Sequence, residues 1–134
     1  MNKPLARIFK ILSLCLFLGF SFQLAGKEVP NSSTVEWKNL KSVLFGDKKV
    51  FASNSVIGIE APFRAEDAAV VPISITSKIS QSPEKYIKKI YLLIDKNPTP
   101  VAGIFTLSQK AGRADIETRV RLEEYTFVRA VAEL

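Results

Sequence analysis

The chain has 134 residues, which is enough for one domain rather than two. It contains no histidine and a single cysteine, and its 19 basic residues outnumber its 13 acidic residues. The missing histidine excludes Ser-His-Asp and Cys-His catalytic centres as well as histidine-ligated metal sites. A lone cysteine also excludes an intramolecular disulfide and a redox dithiol.

Residues 1–26 have the layout of a secretory signal peptide. Three basic residues and no acidic residue precede an almost purely apolar run at residues 11–22, and small residues then offer a cleavage site after Ala25 or Gly26. An uncleaved membrane anchor is the alternative, but the run is shorter than the roughly 20 apolar residues of a spanning helix. We therefore expect export, no stable membrane insertion after cleavage, and a polar leader at residues 27–33.

Cleavage would change what the composition implies. Cys15 and three basic residues leave with the signal peptide. The exported domain then has no thiol and only a mild positive excess, which argues against nucleic acid as a partner. A domain of roughly 108 residues is large enough to form a core without disulfides.

The first predicted element is a short amphipathic helix over residues 34–45. Ser33 and Glu36 have the spacing of a capping box, and Gly46 stands where a left-handed C-terminal cap belongs. One apolar stripe is formed by Trp37, Leu40 and Leu44. We expect Trp37 to seat the helix on a sheet rather than to stack on a ligand.

After Gly46 the apolar pattern changes to the alternation of β-strands. The predicted strands cover residues 50–51, 56–59, 71–75, 90–94, 101–107, 116–122 and 125–131. Pro72 indicates an edge strand or a strand start, whereas the doubly apolar 90–94 run indicates a central strand. Six or seven short strands behind one helix predict an all-β, immunoglobulin-like antiparallel β-sandwich over residues 34–134.

Two charged regions hold the candidate functional residues: the acid-rich, proline-bounded loop at residues 60–72 and the charged side of the 116–122 strand. The candidate docking residues are Arg64, Glu66, Asp67, Arg119 and Arg121. The plainer interpretation is a solvated turn held by Arg64, and cross-strand ion pairing for Arg119 and Arg121 on the exposed face that they share with Asp115 and Glu117. Catalysis by Glu60, Glu66 or Asp67 is disfavoured, because loop carboxylates give no sign of the burial that separates catalytic pKa values.

A second proline-bounded turn occupies residues 95–100. Asp95 and Asn97 precede Pro98, and such residues commonly form turns through bonds from their side chains to the backbone. We therefore predict a structural role for both.

Several blocks of this sequence, in this order, resemble SoxY, the sulfur-carrier subunit of the bacterial thiosulfate-oxidising system. The blocks are Leu-Phe-Gly-Asp at 44–47, residues 59–73, residues 94–101, Thr-Arg-Val-Arg at 118–121 and Tyr-Thr at 125–126. The resemblance covers about residues 37–133. It is nearest to the fused SoxYZ-like carriers associated with periplasmic quinoprotein dehydrogenases.

The resemblance implies a periplasmic, immunoglobulin-like domain that pairs with a SoxZ-like sandwich and, in the quinoprotein-associated group, works with a dehydrogenase. In SoxY, sulfur intermediates are carried on a cysteine in a glycine-rich C-terminal arm, where a mobile thiolate can be presented to several enzymes. The sequence ends at residues 130–134 without that arm. We therefore expect a non-enzymatic domain without cofactor or metal, either lacking the carrier cysteine or truncated.

Two other functions remain open at this stage. One is a generic exported β-sandwich used for adhesion or assembly, and the other is a small carboxylate-dependent enzyme. A last strand without a neighbour would leave an open sheet edge, so we also expect the domain to dimerise or aggregate.

Overall fold

The structure, a computed structural model, describes residues 33–134. The predicted signal peptide, and the leader up to residue 32, lie outside the described residues. The elements are α1 (Val35–Phe45), β1 (Ile57–Glu60), β2 (Val71–Ser77), β3 (Lys89–Ile94), β4 (Val101–Thr106), β5 (Ile116–Val120) and β6 (Val128–Glu133). A short 3₁₀ turn at Gln109–Ala111 precedes β5.

The strands of residues 33–134 form two three-stranded antiparallel sheets. One sheet has the order β1-β2-β5 and the other the order β4-β3-β6, so β2 and β3 are central. The predicted immunoglobulin-like sandwich with one short N-terminal helix is confirmed, as is the central position predicted for residues 90–94.

The core lies between the sheets and takes alternate residues from both. Its buried members are Ile57, Val71, Ile73, Ile75, Ile87, Ile90, Leu92 and Ala114. The alternation of β2 puts Val71, Ile73 and Ile75 inside, and each such side chain stabilises the fold by about 1.5–3 kcal/mol relative to exposure.

The helix begins one residue later than the capping-box pattern suggested. Thr34, not Ser33, is the N-cap, because the Trp37 backbone N–H donates to Thr34 Oγ1 at 3.0 Å. At the other end Gly46 has φ 55° and donates its N–H to the Ser42 carbonyl. A side chain at this positive φ would be strained, which explains the glycine.

Two strand predictions need correction. Residues 50–51 form no strand: Phe51 is exposed, and the two apolar residues follow a turn in which the Lys48 N–H donates to the Phe45 carbonyl. The last strand begins at Val128 rather than at residue 125, because Phe127 is used to bond the turn after β3. Of the two positions predicted for Pro72, the structure shows the strand start: Pro72 is the second residue of the central strand β2. It lies beyond the residues that β1 pairs with, so its missing N–H costs no ladder bond to β1.

Candidate functional site

The loop between β1 and β2 lies beside the end of β5. The Leu122 N–H donates to the Ala68 carbonyl at 2.8 Å, and β2 pairs with β5 from Val71 opposite Val120 onwards. The structure therefore brings the loop carrying Arg64, Glu66 and Asp67 close to the segment carrying Arg119 and Arg121. These are the two regions that the sequence singled out separately.

The loop is held by Asp67 rather than by Arg64. Asp67 Oδ1 accepts from the Ala69 N–H at 2.8 Å, and the Val70 N–H donates to the Asp67 carbonyl at 3.3 Å. Arg64 and Glu66 are exposed and form no ion pair within residues 33–134. The predicted turn held by Arg64 is wrong, because the Asp67 side chain closes it locally.

The predicted cross-strand ion pairs of β5 are also wrong. Arg121 instead binds Glu123 at 3.0 Å, and Asp115 binds Arg113 at 2.6 Å, each pair two residues apart in the chain. The hydrogen bond from the Arg113 side chain, followed by that from the Ser77 backbone, holds the pKa of Asp115 below its ordinary value. Arg119 forms no ion pair with any described residue.

Arg119 instead lines an open cleft of about 560 Å³ on the outer side of the β1-β2-β5 sheet. Glu60, Pro72, Ser74 and Glu117 also line it. The cleft carries charges of both signs and is open to solvent. It is suited to polar contacts with a partner surface rather than to enclosing a small substrate.

The same loop exposes two apolar side chains that the sequence analysis did not single out. Phe63 is 97% exposed, and Val70 is also exposed. A fully exposed aromatic ring on a surface that also carries arginines has the composition of a protein-binding surface, in which aromatic and arginine residues are enriched. The sequence indicates only that both residues lie in a loop without strand alternation, and that pattern does not distinguish an exposed apolar side chain from a buried one.

A second cluster is a buried ion pair between Asp95 and Arg129. Arg129 Nε donates to Asp95 Oδ1 at 2.7 Å and Nη2 to Oδ2 at 2.6 Å, and the side chains are only 12% and 1% exposed. The Thr34 hydroxyl donates to Asp95 Oδ2 at 2.7 Å while accepting the helix-capping bond from Trp37. This network joins the start of α1 to β3 and β6.

Aromatic rings flank the guanidinium of this pair. The Arg129 carbon Cζ lies 4.8 Å from the centroid of the Trp37 ring and 5.1 Å from that of Phe127. Trp37 therefore seats the helix, as predicted, but it does so on an arginine. Arg129 was missed from the sequence, although a charge inside the apolar run 128–132 is itself a sign that a buried partner is needed.

The structural roles predicted for Asp95 and Asn97 are confirmed, but by different contacts. Asp95 bonds other side chains, as described above. Asn97 clamps a distant segment: its Nδ2 donates to the Arg121 carbonyl at 2.8 Å, and its Oδ1 accepts from the Glu123 N–H at 3.2 Å. The turn after β3 is thereby fixed to the end of β5.

Neither cluster resembles a metal or membrane site. Within residues 33–134 no group of three histidine, cysteine, aspartate or glutamate residues is placed to hold a metal ion. Over the same residues no helix combines the length and apolarity needed to cross a bilayer.

Comparison with known proteins identifies the family. The family model "Sulfur oxidation protein SoxY" matches residues 41–134, well over half of the chain. The chain belongs to the SoxY family. A solved structure of the sulfur carrier protein SoxY from Chlorobium limicola f thiosulfatophilum is 22% identical, with a TM-score of 0.48, and covers 72% of this chain and 94% of that chain. No curated protein matches the chain.

The residues matched by the SoxY family model include most of both clusters. The match includes the loop with Phe63, the cleft with Arg119 and the Asp95–Arg129 pair, whereas Thr34 and Trp37 precede it. The matched residues contain no cysteine, since the single cysteine of the sequence is Cys15. Residues 41–134 therefore contain no thiol.

Proposed function

We propose that the protein is an exported SoxY domain of a periplasmic sulfur- or quinoprotein-linked oxidation system, in which residues 33–134 bind a partner and catalyse nothing themselves. The observation that carries the proposal is a SoxY match over residues without cysteine or histidine. Sulfur transfer needs a thiolate, and these residues have none to supply. The signal-peptide pattern of residues 1–26 supports export.

The partner we propose is a SoxZ-like sandwich subunit or domain, with a quinoprotein dehydrogenase as a further member of the assembly. The docking surface is the β1–β2 loop together with the neighbouring end of β5. An exposed aromatic ring at Phe63 and exposed arginines at Arg64 and Arg119 support this choice. Aromatic and arginine side chains carry a large share of the binding energy at protein interfaces.

The test is a binding measurement with a purified SoxZ-type protein of the same organism. We expect the double variant Phe63→Asp, Arg119→Glu to raise the dissociation constant at least about 10-fold, since two anchoring side chains are lost. Lys110→Glu, an exposed charge reversal in the 3₁₀ turn away from this surface, is the matched control and should leave the constant unchanged.

Three results would contradict the proposal. One is that the SoxZ-type protein does not bind, and another is that it binds the double variant as tightly as the original chain. The third is a pull-down from periplasmic extract that recovers envelope polymers alone, which would favour an adhesion or assembly module. Sequencing the DNA downstream of the Leu134 codon tests the carrier role separately. Codons for a further strand followed by Gly-Gly-Cys would supply the thiol that a carrier needs.

A further inference from the structure

The outer face of the β1-β2-β5 sheet carries a row of polar side chains that crosses all three strands. Glu60 of β1 lies opposite Ser74 of β2, and Ser74 lies opposite Glu117 of β5. The core takes the odd-numbered residues of β2, and side chains alternate along a strand, so this row points away from the core. Neighbouring strands lie about 4.8 Å apart, so the two glutamates flank Ser74 with their Cα atoms about 10 Å apart.

The charges on this face do not neutralise one another. Neither Glu60 nor Glu117 forms an ion pair within residues 33–134, and neither does Arg119, which lies two residues beyond Glu117 on the same face. All three side chains are exposed. Together with Pro72 and Ser74 they line the open cleft of about 560 Å³. The cleft therefore has a carboxylate on each side of a short serine and a guanidinium in the next row, and none of the three charges is paired in the described chain.

We propose that this cleft binds an arginine side chain of the protein partner between Glu60 and Glu117, and that a carboxylate of the same partner contacts Arg119. The inference rests on the proposed function and specifies the chemistry of the partner surface. A guanidinium is planar and has five N–H donors, so it can donate to one carboxylate on each side. Alternate residues of a strand are about 6.6 Å apart, so a partner strand with arginine and an acidic residue at alternate positions matches the spacing of Glu117 and Arg119.

Charge balance favours a different protein over a second copy of the chain as the occupant. A second copy that lays its own cleft against this one brings one arginine, Arg119, to two carboxylates, so each copy keeps an unpaired carboxylate in the contact. Unpaired like charges weaken an interface. Continuity with the docking loop supports the same choice, because Pro62 lines the cleft and precedes Phe63, whose ring is 97% exposed. One partner surface can therefore contact the ring and the cleft together.

The test measures how tightly the purified SoxZ-type protein binds two variants of the cleft. The double variant Glu60→Gln, Glu117→Gln keeps the shape of both side chains and removes both charges, so we expect the dissociation constant at low salt to rise at least about 10-fold. The double variant Glu117→Arg, Arg119→Glu reverses the local charges at constant net charge and should have at least the same effect. Glu84→Gln is the matched control, because Glu84 is an exposed carboxylate outside the cleft, in the loop between β2 and β3, and it should leave the constant unchanged.

The outcomes separate this inference from the proposed function. If Phe63→Asp, Arg119→Glu weakens binding but the glutamine variant does not, the cleft inference is overturned and the proposed function stands. If the SoxZ-type protein does not bind the original chain, both are overturned. Self-association that the glutamine variant abolishes in sedimentation equilibrium would also overturn the inference, since a second copy would then be the occupant. Both cleft variants change only exposed side chains, so their urea midpoints should equal that of the original chain.

Discussion

The carboxylate of Asp95 is almost completely buried, and its hydrogen-bond partners explain how a charged group is tolerated there. Both of its oxygens accept from the Arg129 guanidinium, and Oδ2 also accepts from the Thr34 hydroxyl. A buried ion pair of this kind adds little stability over an apolar pair of the same size, but removing one partner is costly. Its value here lies in fixing where the helix begins relative to the sheet.

At the residue scale, we predict that Asp95→Asn lowers the free energy of unfolding by about 3–5 kcal/mol, because it removes the carboxylate from a buried guanidinium. Urea denaturation measures the difference. Arg121→Ala is the control: it breaks the exposed pair with Glu123 and should change stability by less than about 1 kcal/mol. Equal effects of the two variants would contradict the structural role given to Asp95.

At the element scale, β3 and β6 are tied on their outer side by Tyr91 and Glu133. The Tyr91 hydroxyl donates to Glu133 Oε2 at 3.1 Å, and the Phe45 ring of α1 packs edge-on against Tyr91 with centroids 5.0 Å apart. Burial, followed by the bond to Glu133, raises the pKa of Tyr91. The bonds from Tyr91 and then Lys48 lower the pKa of Glu133.

These shifts predict stability losses at both ends of the pH range. The raised pKa of Tyr91 gives stability that is present below about pH 10 and lost as the pH rises through the folded value. The lowered pKa of Glu133 gives stability that is present above about pH 4.5 and lost as the pH falls through the folded value. Tyr91→Phe should weaken both effects in urea unfolding measured against pH, whereas Tyr125→Phe, at an exposed tyrosine, should weaken neither.

The elements that were predictable are those whose own residues carry the pattern. The alternation of Val71, Ile73 and Ile75 predicted β2, and the apolar stripe that includes Trp37 predicted α1. In both elements the spacing of neighbouring residues determines which face is apolar. The loop at residues 50–51 could not be predicted, because two consecutive apolar residues are equally compatible with a short strand and with a loop that lines a cleft. The pairing of Asp95 with Arg129 joins residues 34 positions apart, and no local pattern encodes that distance.

At the scale of the whole molecule, helix and sandwich should unfold together. α1 has 11 residues and no fully buried side chain, so it is too short to be stable alone. Trp37 is the only tryptophan, so tryptophan fluorescence reports on the docking of α1. We predict that tryptophan fluorescence and far-ultraviolet circular dichroism give coincident urea transitions, and that Asp95→Asn moves the fluorescence transition to lower urea. A fluorescence transition that comes first in the unmodified protein would contradict this coupling.

The docking surface depends on the fold of the whole molecule, so the sequence predicts its parts but not their proximity. The sequence named Arg64, Asp67 and Arg119 from two separate regions, which the pairing of β2 with β5 and the bond between Leu122 and Ala68 bring together in the fold. Phe63 could not be named as a candidate from the sequence, because the exposure of an apolar side chain in a loop is known only from the fold. Family membership, by contrast, was readable from the sequence blocks alone.

Thr34 binds Asp95, whose carboxylate also binds Arg129, and this network constrains the order of events during folding. Thr34 and Asp95 are 61 residues apart, and Arg129 belongs to the last strand of the described chain. During synthesis the helix emerges first, because chains are made from the N-terminus, yet its anchor does not exist until β6 has followed. Seating the helix is therefore a late step, and until then the aromatic ring of Trp37 stays available to chaperones or to a partner that binds the incomplete chain.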